Sequence, residues 1–112
     1  MEVKASARLI RRSPRKIRLV LDAVRGKRVD EALAILRFLP HGAADEVSRV
    51  VKSAAANAEN NYQMAPEDLY ITRIFADSGP TVKRFRARSR GMAAPILKRT
   101  SHITVFVEER EI

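Results

Sequence analysis

The chain has 112 residues, with 22 Lys plus Arg against 13 Asp plus Glu, a formal net charge of +9 and a pI near 10.8; that length suits one domain with a modest core, and the charge is the footprint of a polyanion binder, nucleic acid before an anionic membrane. With no Cys, disulfides, thiolate nucleophiles and the common zinc sites are excluded together. No apolar run approaches the roughly 20 residues of a membrane-spanning helix, and Met1 leads almost directly into an alternating segment with no signal-peptide core, so a cytoplasmic protein is expected.

The first predicted element is a strand, in which Val3, Ala5, Ala7 and Leu9 alternate with Lys4, Ser6 and Arg8, the period of a half-buried strand. Ser13 and Pro14 then read as the N-cap and first residue of a helix, since a hydroxyl accepts a free amide and Pro lacks only a donor the helix would not use. Ile17, Val20, Leu21 and Val24 form its core stripe, with Arg15, Arg18, Asp22 and Arg25 opposite, and Gly26 ends it in a left-handed cap. A second helix opens at Asp30 and Glu31, whose charges suit the positive end of its dipole. Its Ala32, Leu33, Ile35, Leu36 and Leu39 are apolar almost all round, and Pro40 stops it. The longest helix runs from Ala43 to about Asn61, with Val47, Val50, Val51, Ala54 and Ala58 inward and Asn60 and Asn61 as terminators. Leu69 to Ala76 alternates loosely, Ile103, Val105 and Val107 cleanly, and both read as strands.

The fold class that follows is α+β: a three-stranded antiparallel sheet packed on three helices, with a long protruding β-hairpin between the last two strands. One domain spans residues 1–112, globular over 1–76 and 100–112, with an extended hairpin over 77–99. Charge is segregated along it. Residues 1–40 carry eleven basic and four acidic side chains, residues 71–100 eight and one, so these two segments make the partner surface.

The hairpin carries the chemistry. Residues 77–99 lack both a helical stripe and the apolar side chains of a core, and they are too many for an ordinary connector. After a turn at Asp77, Ser78, Gly79 and Pro80 come Lys83, Arg84, Arg86, Arg88, Arg90, Lys98 and Arg99 with no acidic residue between them. Arg84, Arg86, Arg88 and Arg90 lie two apart, which on a strand places all four on one face and on a helix scatters them. The spacing therefore predicts a hairpin with its tip near Gly91 to Pro95, reaching roughly 33 Å at about 3.3 Å per residue. A self-repelling hairpin is not stable alone. Arg suits an RNA partner, because its planar fork bonds phosphate oxygens bidentately and stacks on unpaired bases, while Phe85 or Met92 fills apolar gaps.

Three motifs, Ser13-Pro14-Arg15-Lys16-Ile17-Arg18, Ser53-Ala54-Ala55-Ala56-Asn57-Ala58-Glu59-Asn60-Asn61 and Lys98-Arg99-Thr100-Ser101-His102-Ile103-Thr104-Val105, resemble the bacterial large-subunit ribosomal protein family L twenty-two over nearly the whole chain. The resemblance implies a globular domain on the outer surface of the large subunit near the exit of the nascent-peptide tunnel. It implies a hairpin threaded through ribosomal RNA of the 23S type, and an early role in tying RNA domains together. It places the hairpin tip, Arg88, Ser89, Arg90, Gly91, Met92 and Ala93, on the tunnel wall against the nascent peptide, near a constriction shared with protein L four and the macrolide region. The implied partners are that RNA, neighbouring ribosomal proteins and the nascent peptide, with no membrane and no homo-oligomer. Two departures stand out: Met92 follows Gly91 where the family often has Arg, and the chain ends Glu108, Glu109, Arg110, Glu111, Ile112 where many relatives end in a basic tail.

The expected RNA contacts are Lys4, Arg8, Arg11, Arg12, Arg15, Lys16, Arg18 and Arg25 from the N-terminal segment. From the hairpin they are Lys83, Arg84, Arg86, Arg88, Arg90, Lys98 and Arg99, followed by Thr100 and His102. The cations on the first helical turn oppose its dipole, a local cost that phosphates would offset. His102 reads equally as a phosphate contact or as part of a polar sheet surface, and Asn57, Asn60 and Asn61 read first as helix-end hydrogen bonders. No metal site, cofactor or catalytic residue is expected: there are two His and no Cys, no phosphate-cradling Gly loop and no nucleophile motif. The rival reading is a basic protein that packages DNA or binds anionic surfaces, which composition alone does not separate from an RNA binder.

Overall fold

In the computed structural model the elements run β1 (Glu2–Ile10), α1 (Pro14–Val24), α2 (Val29–Phe38), α3 (Ala43–Tyr62), β2 (Leu69–Ser78), β3 (Val82–Ala87), β4 (Ala93–Lys98) and β5 (Ser101–Glu109). The structure describes residues 2–40, 42–87, 91 and 93–110, with 82–87 and 93–98 described by their backbone. β1, β5 and β2 form one antiparallel sheet in that order, and β3 pairs with β4 in a separate two-stranded ribbon. The α+β architecture with a protruding hairpin is as the periodicity predicts.

One face of the sheet is dry. Val3, Ala5, Ile71, Ile74, Ile103, Val105 and Val107 are buried there beneath Ile17, Leu21 and Val24 of α1 and Val47, Val51, Ala54 and Ala58 of α3. α3 lies across β1 and β5, and α1 across β2. Ala54 and Ala58 are fully buried: with only a methyl group at each position, the helix backbone approaches the sheet closely.

Two bulges set which side chains face that core. In β1, Ala7 pairs with Ile103 and Ile10 with Ser101, so one extra residue is accommodated. Leu9 takes φ 58 and is 59% exposed, where strict alternation places it in the core. In β2, Ile71 pairs with Val107 and Arg73 with Phe106. The extra residue, Thr72, shifts the inward positions from Leu69 and Ile71 to Ile74 and Ala76, which is why the alternation there looks loose. Thr72 Oγ1 lies 3.1 Å from the Phe106 carbonyl.

Helix ends also differ from expectation. Ser13 occupies the N-cap position of α1 but its hydroxyl makes no capping bond; its carbonyl accepts the Ile17 amide. The left-handed residue that closes α3 is Gln63, φ 54, rather than Asn60 or Asn61. The Gln63 and Met64 amides donate back to the Glu59 and Ala58 carbonyls, both at 3.1 Å, a Schellman closure that satisfies the last turn. Gly26 is left-handed as predicted, φ 77.

The ribbon changes the shape of the molecule. The chain measures 66 × 26 × 17 Å with a radius of gyration of 17.2 Å, against about 13 Å for a compact chain of this length.

Candidate nucleic-acid interface

The ribbon is in register from Val82↔Lys98 to Ala87↔Ala93. Ala93, Ala94 and Pro95 therefore belong to β4, and the turn lies between Ala87 and Ala93, earlier than a tip at Gly91 to Pro95. Pro95 sits opposite Phe85; Pro is tolerated because every strand of a two-stranded ribbon has an open side. Arg84 and Arg86 occupy alternate positions of β3, paired with Ile96 and Ala94, and so share a face by register. Of the other tip and arm residues, Arg88, Ser89, Arg90 and Met92 lie outside the described residues. Gly91 is left-handed, φ 71, and Lys83 and Lys98 are on the two strands near their globular ends.

At its root the ribbon is tied to the domain. The Gly79 amide donates to the Thr100 carbonyl at 2.9 Å, and Thr100 Oγ1 donates to the Pro80 carbonyl at 2.7 Å. A Cβ on Gly79 would stand 2.5 Å from Thr100 Oγ1 and 3.1 Å from His102 Cε1, so only Gly permits the two chains to cross this closely. Beside them the Leu9 amide donates to His102 Nδ1 at 3.1 Å, and Ser101 Oγ donates to the Arg12 carbonyl at 2.6 Å. Thr100, 9% exposed, thus uses its hydroxyl on the arm root. His102, half-buried, uses one ring nitrogen on the β1 bulge.

The N-terminal cations divide into two groups. Arg12 Nε donates to Glu46 at 2.7 Å, and its guanidinium lies where a Cβ on Gly42 would be, 2.7 Å from Nη2. Arg18 donates through Nε and Nη2 to the Ala76 carbonyl at 3.2 and 2.8 Å. Arg25 donates to the Ile74 carbonyl at 3.1 Å and pairs with Asp22. Ile74 and Ala76 are on β2, an edge strand, so these two arginines cap carbonyls that no strand covers. The Ile71 amide, bonded to the Lys27 carbonyl at 2.9 Å, continues that protection, which edge strands need against intermolecular pairing. Arg12, Arg18 and Arg25 are therefore structural in the free chain. Lys4, Arg8, Arg11, Arg15 and Lys16 are exposed, and among the described residues they make no hydrogen bond or ion pair. Arg99 is exposed at the ribbon root.

Among the described residues no group of His, Asp or Glu is arranged to hold a metal ion, and no helix is long and apolar enough to cross a membrane. What remains is a projecting ribbon and a set of exposed cations on β1, on the segment after it and on the first turn of α1. The chain matches the family described as ribosomal protein L22p/L17e over residues 5–108. It belongs to that family. It is 57% identical to the large ribosomal subunit protein uL22 of Herpetosiphon aurantiacus over all of this chain and 99% of that protein. It is 59% identical to uL22 of Clostridioides difficile over 99% of this chain and all of that one, and 57% identical to uL22 of Roseiflexus castenholzii over 99% and 98%.

This member of the L22p/L17e family has a further surface that alternation did not reveal. The sheet face away from the helices carries Arg73, Phe75 and Phe106. The Arg73 guanidinium carbon is 4.0 Å from the centre of the Phe106 ring, and Phe75 is 6.1 Å from it, centre to centre. Glu2 accepts from Thr72 Oγ1 at 2.8 Å and from Arg73 at 3.2 and 3.3 Å. The Thr72 hydroxyl and the Arg73 guanidinium hold the Glu2 carboxyl below its ordinary range. The bulge at Thr72 hid this face from the sequence, since it moves Arg73 and Phe75 onto the side that alternation assigns to the core.

Proposed function

We propose that this chain is a structural, non-enzymatic constituent of the large ribosomal subunit in the cytoplasm, that it binds large-subunit ribosomal RNA of the 23S type, and that it supports assembly. The observation that carries the reading is an arm with seven basic residues from Lys83 to Arg99 and no acidic one, built on a two-stranded ribbon outside the core of an L22p/L17e-family protein. An isolated ribbon with uncompensated charge gains its stability from a polyanion that surrounds it. Arg84, Arg86, Arg88 and Arg90 contact RNA along the arm with Lys83, Lys98 and Arg99. Arg11, Arg15 and Lys16 on the helical side, and Lys4 and Arg8 on β1, bind RNA at the globular end. Arg12, Arg18 and Arg25 hold those elements in place.

The finer assignment places the turn, residues 88–93, on the wall of the nascent-peptide tunnel and makes the protein a monomer among neighbouring ribosomal proteins. Its support is the family resemblance together with the length of the molecule, 66 Å. Binding to large-subunit ribosomal RNA fragments, duplex DNA and anionic vesicles across a salt series tests the reading. RNA preference that persists at moderate salt, with a log-log slope of about −5 to −6 from the arm, is expected. Equal affinity for DNA or vesicles overturns it, and crosslinks from residues 88–93 to a stalled nascent chain test the tunnel assignment.

A further inference from the structure

We propose that the open face of the sheet is an additional RNA site, at which an unpaired base stacks on Phe75 and on the Arg73–Phe106 pair. The proposal rests on the RNA-binding reading and extends it to residues with no role in the arm.

All three helices pack on the opposite face, so nothing in the chain's helical layer covers these rings. Phe75 is 37% exposed. Arg73 lies against Phe106 on one side, is held through its Nε and Nη2 by Glu2, and keeps its side chain 57% exposed. That arrangement immobilises the guanidinium plane and leaves part of it open, as required of a surface that stacks a base. Each ring and cation is therefore already oriented before a ligand arrives, which lowers the ordering cost of binding.

The bulge at Thr72 gives a second argument. In a regular strand, with Thr72 paired rather than bulged, the alternation set by Leu69 and Ile71 would turn positions 73 and 75 into the core. With the bulge, Arg73 and Phe75 stand on the open side, Arg73 beside Phe106 and Phe75 beside Thr104 in register. Bulges that re-aim side chains concentrate at functional surfaces. Cross-strand packing accounts for the Phe75–Phe106 contact, but not for a fixed, half-open guanidinium next to it.

The stacking surface and the cation beside it favour RNA as the occupant. Lys4 faces Phe106 directly from β1 and is exposed and unpaired among the described residues. Arg8 continues the same row on β1 toward the arm root. A nucleotide stacked on the rings sets its phosphate toward Lys4 on the β1 edge, across the sheet from Asp77 on the β2 edge; of the other two acids on this face, Glu2 is engaged by Arg73 and Glu108 also has a partner.

The chain has no Trp, so Phe75→Trp introduces a single reporter. Its emission is expected to be quenched when the full chain binds a large-subunit ribosomal RNA fragment. Phe75→Leu is expected to lower affinity for that fragment about 5-fold or more, the equivalent of about 1 kcal/mol of stacking, with the salt slope unchanged because no phosphate contact is lost. Phe75→Tyr should bind like the parent. Wild-type affinity in Phe75→Leu overturns the proposal while leaving the arm reading intact, and a parent chain that does not prefer RNA overturns both. Emission that answers only to added ribosomal proteins makes the face a protein dock and also overturns it. A loss in Phe75→Leu that Phe75→Tyr shares, with both melting below the parent, assigns the rings to folding instead.

Discussion

Thr100 Oγ1 donates to the Pro80 carbonyl across the root of the arm at 2.7 Å, joining the strand that leaves the globular domain to the one that returns. Thr100→Val keeps the shape and leaves that carbonyl without its donor, a loss of about 1 kcal/mol. Thermal denaturation should show a fall of about 4 °C, restored by Thr100→Ser. An unchanged midpoint would mean that water replaces the hydroxyl.

The arginines of α1 should separate into two classes by assay. Arg18→Ala and Arg25→Ala uncover β2 carbonyls, so each should cost about 1 kcal/mol of stability and favour association through the exposed edge. Arg15→Ala and Lys16→Ala should melt like the parent and reduce the RNA salt slope by about 1 each. Calorimetry and a salt titration on the same four proteins decide it; a reversed pattern would exchange the structural and binding roles.

On the arm, Arg84→Ala combined with Arg88→Ala removes two of the seven cations. RNA affinity should fall, the slope should become shallower by about 2, and the melting temperature should stay put. Loss of folding would place these residues inside the domain.

Glu2 links acidity to sheet stability. Its folded carboxyl is held down by Thr72 and Arg73, so its contribution is fully present above the unfolded value and is lost as pH falls through the lowered folded value. Stability curves from pH 7 to pH 2 should therefore converge for the parent and Glu2→Gln at the acid end and differ at neutral pH. Since the pair is exposed, added salt should shrink the difference.

Packing sets the last expectation. Ala54 is fully buried where α3 meets the sheet, so Ala54→Leu should cost about 1–3 kcal/mol through overpacking. Denaturant melts would report it as a lower midpoint at similar slope.

The amino-acid sequence by itself determined the elements whose cause is local: the α1 stripe of Ile17, Val20, Leu21 and Val24, the left-handed Gly26, the strand around Val105, and a basic arm whose Arg residues recur at every second position. Each rests on periodicity or on backbone sterics, which need no partner to be read. What only the tertiary structure decided depends on residues brought together from distant parts of the chain. Arg18 and Arg25 look like free cations on a helix until β2 presents uncapped carbonyls beside them. Thr100 meets the Pro80 carbonyl only because the arm root folds back, and Arg73 and Phe75 reach the open face only because the pairing of β2 with β5 absorbs Thr72 as a bulge. For Arg18, Arg25 and Thr100 the role follows from the polar group each side chain satisfies, which lies 58, 49 and 20 residues away along the chain.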